Sequence, residues 1–270
     1  MRSVVLAASA LVVTLAATTA HAAEPTNPSR KDRGPAYQLR PSIDLPVVGI
    51  GLVMASTRLF RAQPAYCAPL CDRVTLNALD RTTAGSYDST WSTASTVGLV
   101  GVAAASAVYL VADERFVPAM NDAVVVLESA LTAVGISSVA SIAAGRPRPF
   151  LFGEKAPLDV RNSADASMSF VSSHAAVTFA VGISTFITAE HLRPTRPLVP
   201  ALVLIAGLAS ASFVTLGQVE AGNHFVTDAI AGAVVGASSG ILVPALHDAP
   251  FRLVPIAGPR EGALQLVGTF

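Results

Sequence analysis

The stretch LVPALVLIAGLASASFVTL, residues 198–216, decides the fold class of this chain. A helix needs about 20 residues to cross the hydrocarbon core of a membrane, so this stretch is long enough. It contains no charged residue. Its alanines, serines and glycine are small, and small residues let helices approach one another closely, as in membrane bundles. The stretch therefore predicts a helix that is buried in lipid, in protein or in both.

Five more apolar segments surround this one. The six segments are 45–60, 93–112, 123–144, 175–189, 198–216 and 229–246. Short polar connections separate them, and the pattern predicts an all-α fold, a bundle of about six long, mostly apolar helices. Glu128 lies inside the third segment and must face the bundle interior or water, because a carboxylate is costly against lipid.

The composition supports this fold class. The chain is 52% hydrophobic and 13% charged, which is too apolar for a disordered protein. Eighteen Lys and Arg balance eighteen Asp and Glu, so a nucleic-acid partner is excluded. We expect a helical core domain over 45–247, between a flexible segment 23–44 and a C-terminal tail 248–270. In the tail, 251–254 and 263–267 indicate a short β-hairpin.

Residues 1–22 are typical of a secretory signal peptide. Arg2 gives the positive start, an apolar run follows, and residues 20–22, Ala-His-Ala, resemble a cleavage site. An uncleaved membrane anchor is the alternative. Export places the protein in an oxidising, bacterial-type cell envelope, where Cys67 and Cys71 can form a disulfide. A metal site or a redox pair is less consistent, because further ligands and the usual two-residue spacing are missing.

The sidedness of the bundle contains a contradiction. If the signal peptide is cleaved and all six segments cross, the connections 61–92, 145–174 and 217–228 lie in the cytoplasm. The Lys and Arg counts favour neither orientation. The cysteines and the residues able to do chemistry lie in these connections. We therefore expect that the first segment does not span, which returns the active face to the periplasm.

Residues able to do chemistry collect at three helix ends. The third helix ends in GRPRPF (145–150), the fourth begins at SFVSSH (169–174), and the sixth begins within GQVEAGNHFVTD (217–228). Such ends can meet at one end of a bundle. The prolines stop the third helix and hold Arg146 and Arg148 there. Ser172 or Ser173 caps the fourth helix, whose free amides form an anion site.

Two histidines, His174 and His224, lie in these stretches. His224 and Asp228 are four residues apart, so on one helical face Asp228 can reach the imidazole and orient it. Each part alone is commonly structural, but arginines, a capped helix start and two histidines together indicate a phosphate site. One histidine can attack phosphorus while the other protonates the leaving oxygen. We expect His191 and His247, beside charged turns, to be exposed.

The arrangement resembles the type 2 phosphatidic acid phosphatase and vanadium haloperoxidase superfamily, over roughly residues 75–247. That family's signature is Lys-x6-Arg-Pro, Pro-Ser-Gly-His and Ser-Arg-x5-His-x3-Asp on a helical bundle. The matching residues are Arg148 with Pro149, Ser172 with His174, and His224 with Asp228. The resemblance implies that His224 is the nucleophile that forms a phosphohistidine, Asp228 its orienter and His174 the acid. It also implies that Arg148 and Ser172 cradle the phosphate, with no metal or cofactor.

The first and third motifs are degenerate. Ser141 stands at the lysine position of the first and Gln218 at the arginine position of the third, so two of three expected cations are missing. Gln218 can donate a hydrogen bond but brings no charge. Ser173 replaces a glycine of the second motif. The rate should fall unless another cation moves in, for which the candidates are Arg146, Lys155 and Arg161.

These observations predict a membrane-embedded or membrane-associated phosphatase that hydrolyses phosphomonoesters or pyrophosphates. Phosphorylated lipids are favoured over small phosphate esters, because a site at the end of a bundle lies near the headgroups. The predicted substrate contacts are Arg148, Ser172, Ser173, Gln218 and Arg146. The alternative is a catalytically impaired relative that binds anions or lipid, or is structural. A haloperoxidase is less consistent, because vanadate would have few cations to hold it.

Overall fold

The computed structural model describes residues 34–61, 63–248, 251–257 and 262–268. The predicted signal peptide lies outside these ranges. The described part contains six long helices, and all six apolar segments fall within them, so the all-α prediction is confirmed. They are α1 (Pro41–Arg61), α2 (Ser89–Glu114), α3 (Phe116–Ala144), α5 (Ser173–Leu192), α6 (Leu198–Glu220) and α7 (Val226–Asp248). A one-turn helix, α4 (Leu158–Arg161), lies between α3 and α5.

Polar caps set the helix boundaries beyond the apolar segments. Asp88 begins α2, because its carboxylate accepts hydrogen bonds from the N–H groups of Thr90 and Trp91 at 2.8 and 3.3 Å. Ser172 caps α5 through the N–H of Ala175 at 3.4 Å. Gly145 ends α3 with a left-handed φ of 53°, which costs glycine little. The chain therefore leaves α3 just before the arginine–proline stretch.

Helix α5 is the centre of the bundle and packs against α2, α3, α6 and α7, while α1 packs along α3. Small residues make the close approaches, as the sequence predicts. A Cβ on Gly182 of α5 would lie 3.2 Å from the Cα of Gly207 on α6. A Cβ on Gly236 of α7 would collide with the carbonyl oxygen of Ala176 on α5. Larger residues at these crossings would push the helices apart.

The six long helices are long and apolar enough to cross a membrane, α1 included. The expectation that the first segment does not span is therefore not supported. Helix α1 runs the full length of the bundle: Arg40, just before it, donates to the carbonyl of His247 at the end of α7. Near its other end, Arg58 donates to Ser173 at the start of α5.

The bundle has two chemically different ends. The cavity end carries the connections 63–88, 145–172 and 221–225, and the far end carries 34–40, 115 and 193–197. At the far end, the N–H groups of Ala36 and Tyr37 donate to Asp122 at 2.8 and 2.9 Å. Tyr37 is buried. Ala36 and Tyr37, which lie in the segment predicted to be flexible, are thus held against the bundle by the buried ring and by the backbone hydrogen bonds.

At the C-terminus, strands β1 (Phe251–Ala257) and β2 (Gly262–Gly268) pair antiparallel, with Phe251 opposite Gly268. They lie where the sequence indicates a short hairpin. The backbone of β1 approaches α1, so the tail folds back toward the bundle.

Candidate active site

A cavity of about 270 Å³ opens at the cavity end, where α1, α2, α5 and α6 meet the connections that follow α3 and α6. It brings together five of the residues that the sequence predicts. These are His174, His224, Arg148, Ser173 and Gln218. Four further residues complete its lining: Arg58, Ser92, Asp165 and Asn223. The cavity is thus rich in groups that bind or transform an anion.

His224 lies in the connection before α7 and is buried. Its Nδ1 is 2.6 Å from the carbonyl oxygen of Ser169. A carbonyl can only accept, so Nδ1 carries the proton and the lone pair is on Nε2. Burial lowers the pKa of His224 well below its ordinary value, and the charge of Arg148 lowers it further. The ring therefore stays neutral, with Nε2 available as a nucleophile.

Asp228 does not orient His224 directly, contrary to the sequence prediction. Its Oδ2 accepts from the hydroxyl of Ser169 at 2.5 Å and from the N–H of Phe225 at 2.9 Å. The reason is the position of the helix start. Helix α7 begins at Val226, so His224 precedes it and does not share a helical face with Asp228. Asp228 acts through Ser169, whose carbonyl holds the ring.

Arg146 is not in the cavity either. Its guanidinium donates to Asp228, to Asp80 at 2.6 Å and to Thr227 at 2.9 Å, and it stacks on Phe225 with 4.4 Å to the ring centroid. Arg146 is thus already paired with two carboxylates, and it links the 63–88 connection to the start of α7, next to the connection that holds His224. The structure therefore does not bring Arg146 to the cavity, where the sequence predicts a substrate contact.

Asp80 completes this tie. Its carboxylate also accepts from Asn77 at 2.6 Å and from the Thr227 hydroxyl at 2.8 Å. Burial alone would raise the pKa of Asp80, but the hydrogen bonds from Arg146, Thr227 and Asn77 outweigh it and lower the pKa. The carboxylate is therefore ionised, and it fixes the start of α7 to the 63–88 connection.

His174 lies in the first turn of α5 and lines the cavity. Its Nε2 is 3.4 Å from Oγ1 of Thr96, whose hydroxyl also donates to the carbonyl of Ser92 at 3.0 Å. Because that hydroxyl proton is used, Oγ1 can accept from a proton on Nε2. The contact thus favours a proton on Nε2, and a general acid also needs a proton on Nδ1, because only the imidazolium form gives up a proton readily.

The sequence analysis misses Arg58, one of the two arginines that line the cavity. It lies near the end of α1, its Nη1 donates to Oγ of Ser173 at 3.1 Å, and it lines the cavity. Ser173 also accepts from the hydroxyl of Ser137 at 3.1 Å. The only sequence signal is an arginine at the end of an apolar helix. Its arrival depends on how α1 packs along α3, which a local pattern does not contain.

Arg148 is buried at the cavity and held from three sides. Its Nε donates to the carbonyl of Asp165 at 2.9 Å and its Nη1 to the carbonyl of Asn223 at 3.0 Å. Its Nη2 pairs with the exposed carboxylate of Asp165 at 2.7 Å. These contacts fix the guanidinium, and the carboxylate offsets part of its charge.

The two degenerate motif positions separate in space. Gln218, in the last turn of α6, lines the cavity; its amide donates to Ser95 at 2.5 Å and accepts from Asn223 at 3.0 Å. Ser141 is buried against its own helix, donating to the carbonyl of Ser137 at 2.7 Å. Ser172 caps α5 outside the cavity lining. Of these three, only Gln218 is positioned to meet a ligand.

The other two cations that the sequence offers as replacements, Lys155 and Arg161, do not line the cavity either. Lys155 is exposed, and Arg161 points to the carbonyl of Pro69 at 3.4 Å.

Cys67 and Cys71 form a disulfide, with 5.1 Å between their Cα atoms, in the 63–88 connection. Cys71 packs in an apolar cluster with Phe150 and other residues below the cavity. The disulfide therefore fastens the connection that holds Asp80.

Comparisons with known proteins bear on this site. The family model of the PAP2 superfamily matches residues 122–252, which contain both histidines and Arg148. Among solved structures, the chain is similar to the first transmembrane PAP2 type phosphatidylglycerolphosphate phosphatase from Bacillus subtilis. That match has 17% sequence identity and a TM-score of 0.46, and covers 76% of this chain and 96% of the other. No curated protein matches this chain significantly.

Proposed function

Because residues 122–252 match the PAP2 superfamily, which confirms the resemblance found in the sequence, we propose that this membrane protein hydrolyses phosphomonoesters or pyrophosphates through a phosphohistidine. One observation carries the proposal. His224, His174, Arg58 and Arg148 line a single cavity, and His224 has its lone pair on Nε2. A nucleophile, an acid and two cations are the parts that phosphoryl transfer requires.

In the first step, Nε2 of His224 donates its lone pair to phosphorus, and the bond from phosphorus to the leaving oxygen breaks. His174 gives its proton to that oxygen, so the alcohol or phosphate leaves as a neutral or less charged group. The Ser169 carbonyl holds the Nδ1–H of His224 and stabilises the positive charge that develops on the ring.

In the second step, water attacks the phosphohistidine. His174, now neutral, takes a proton from the water, the bond from phosphorus to Nε2 breaks, and phosphate leaves. Both histidines return to their starting protonation states. No metal or redox cofactor has a part in these steps.

Arg58 and Arg148 stabilise the negative charge of the transferring phosphoryl group. Two of the three motif cations are absent from the sequence, but Arg58 supplies one charge from another helix. The Gln218 amide is suited to hold a remaining oxygen, because Ser95 takes only one of its two N–H groups, whereas Asn223 donates both of its own to Ser92 and Gln218. The electrostatic loss is thus smaller than the motif comparison implies. Each transition-state donor is expected to contribute roughly 3–4 kcal/mol.

A phosphorylated lipid is the favoured substrate. An apolar groove of about 400 Å³ lies between α2, α5 and α6, the same three helices that carry Ser92, His174 and Gln218 into the cavity. Val181, in the groove, is seven residues beyond His174, roughly 10 Å along the helix. A headgroup in the cavity could therefore leave its acyl chain in the groove.

The active face is proposed to be periplasmic. The disulfide lies at the cavity end, and disulfides persist in oxidising compartments. If α1 also spans, residue 40 then lies on the cytoplasmic side, and cleavage of an exported signal peptide after residue 22 does not fit. Mass spectrometry of the purified chain distinguishes the cases: an intact first segment supports a periplasmic face, and a start at residue 23 contradicts it.

The test of function is phosphate release by detergent-purified protein on an aryl phosphate, phosphatidic acid and an isoprenyl pyrophosphate. We expect the His224→Ala variant to lose activity to background, a fall of about 10⁴-fold or more. His191→Ala is the matched control, because this exposed histidine lies at the far end. Equal background release from the wild type and His224→Ala, with both proteins folded, would leave the impaired anion-binding relative as the better account.

A further inference from the structure

A second polar cluster lies at the far end of the bundle, where it has no part in the proposed phosphatase chemistry. Asp44 on α1, Glu128 on α3 and His247 on α7 each offer one ligand atom, and these atoms lie within 4.8 Å of one another. His247 and Glu128 are buried. Val226 and His247 are 21 positions apart on α7, so the cluster lies roughly 30 Å from the cavity.

Glu128 gives the independent observation that points to a ligand. Its side chain is 1% exposed, and within the described part of the chain neither carboxylate oxygen has a hydrogen-bond partner. One oxygen, Oε2, is aimed into the cluster at 3.4 Å from Nε2 of His247. An ionised carboxylate buried without hydrogen bonds is costly, so the site calls for a cation or a proton to neutralise it.

His247 is oriented as a metal ligand. Its Nδ1 is 3.0 Å from the carbonyl of Val243, which can only accept, so Nδ1 carries a proton. Nε2 is then the nitrogen that faces Asp44 at 2.9 Å and Glu128 at 3.4 Å. Metal-bound histidines almost always donate their other N–H to a carbonyl or carboxylate in this way.

We propose that Asp44, Glu128 and His247 bind a divalent transition metal of the zinc class. One imidazole nitrogen and two carboxylate oxygens suit zinc better than magnesium or calcium, which prefer oxygen ligands alone. Ligands of tetrahedral zinc at about 2.0–2.1 Å lie roughly 3.3 Å apart, near the two separations that involve Nε2. The half-buried Asp44 leaves the fourth position to water. The ion ties the start of α1 to α3 and α7.

A proton on Nε2 of His247 is the competing occupant, because it would neutralise one carboxylate without any metal. The two occupants are distinguished by metal content. Untagged protein is purified in detergent, incubated with zinc chloride and freed of excess by gel filtration. Elemental mass spectrometry then gives zinc per chain, and competition with a chromophoric chelator gives the dissociation constant.

We expect about one zinc per wild-type chain. Glu128→Gln keeps the shape of the side chain but removes its charge. It should weaken zinc binding at least about 100-fold, since even the loss of outer-shell partners costs 10–100-fold. His191→Gln is the matched control: it removes an exposed histidine that pairs with Asp248 at the same end, and should leave binding unchanged.

Two results would overturn the proposal. One is a monodisperse wild-type protein that retains no stoichiometric zinc, and the other is Glu128→Gln binding as tightly as wild type. If Glu128→Gln does not elute as folded protein, Asp44→Asn replaces it under the same criterion, because Asp44 is partly exposed and easier to change. Cobalt loading adds a spectroscopic check, because tetrahedral cobalt absorbs visible light and should lose that band in the same variants.

Discussion

The two ends of the bundle each bury a histidine, His224 at the cavity end and His247 at the far end, and the two rings are held alike. In each, Nδ1 donates to a backbone carbonyl, that of Ser169 or that of Val243, which leaves Nε2 facing the site. The neighbours differ in charge. Two arginines and one carboxylate line the cavity, whereas two carboxylates face His247.

This difference teaches that the tautomer alone does not set what a buried histidine binds. The same ring nitrogen faces a cavity lined by two arginines at one end and a pair of carboxylates at the other. The surrounding charge selects the ligand, because each buried charge has to be compensated by its opposite. Changing the charged residues around either histidine should therefore change which ligand that end of the bundle binds.

The largest effect is expected at the cavity end from Arg58→Gln. The substitution removes one of two cations that face the transferring phosphoryl group, and kcat should fall by about 10²–10³-fold. Arg58→Lys should recover part of the activity, because it restores the charge but not the planar fork. Phosphate release from the lipid and the aryl phosphate measures both effects.

The matched control for Arg58 is Arg81→Gln, an exposed arginine of the cavity end that donates to the carbonyl of Val74. It should keep wild-type activity. If Arg58→Gln and Arg81→Gln behave alike, Arg58 is only a packing residue, and the cavity end would have Arg148 as its one catalytic cation in the described lining.

Arg58 also illustrates what could be predicted from sequence. The six apolar helices were predictable, because length and hydropathy are local properties, and so were His174, His224 and Arg148, because they lie in recognisable motifs. The arrival of Arg58 from α1 was not, because it follows from tertiary packing. The failure for Arg146 has a similar cause: it is paired with Asp80, which lies 66 positions away.

Two further features could not be predicted from the sequence: which group orients His224, and the burial of His247. The spacing of His224 and Asp228 predicts a shared helical face only if the helix includes both, and α7 begins between them. His247 precedes a charged residue, which favours exposure, yet α1 and α3 cover it. The first feature depends on where α7 begins, and the second depends on how neighbouring helices pack over His247. Neither can be read from the few residues around each histidine.

A smaller effect is expected from filling the apolar groove with Ala206→Phe. The larger side chain should obstruct an acyl chain between α2 and α6 and lower kcat/KM for phosphatidic acid by about tenfold, the scale of a lost apolar contact. Hydrolysis of a soluble aryl phosphate should stay unchanged, because the cavity is untouched. This separates a lipid-binding groove from the charge chemistry of the cavity end.

Ala201→Phe is the control for the groove, because Ala201 is exposed on α6 but does not line it. An equal loss with Ala201→Phe, or an equal loss on both substrates with Ala206→Phe, would show that the bulk of phenylalanine disturbs α6 itself. The groove would then have no role in substrate choice.

The smallest expected effect is a fall in the stability of the folded protein at low pH, caused by the buried His224 at the cavity end. The pKa of His224 is lowered in the folded protein, by burial first and by Arg148 second, from an ordinary value of 6.5. As pH falls below 6.5, the unfolded chain takes up the proton while the folded chain does not, so stability is full above that pH and declines below it. At pH 5.5 the loss approaches about 1.4 kcal/mol.

The measurement is the midpoint of thermal unfolding in detergent at pH 7.5 and 5.5 for wild type and His224→Gln. Wild type should lose about 3–6 °C more than the variant, because glutamine cannot take up the proton. Equal losses would mean that the folded chain takes up the proton as readily as the unfolded chain, so burial does not lower the pKa of His224. At pH 5.5 its Nε2 would then be protonated rather than nucleophilic, and the cavity end would hold a cationic histidine as a third anion-binding charge.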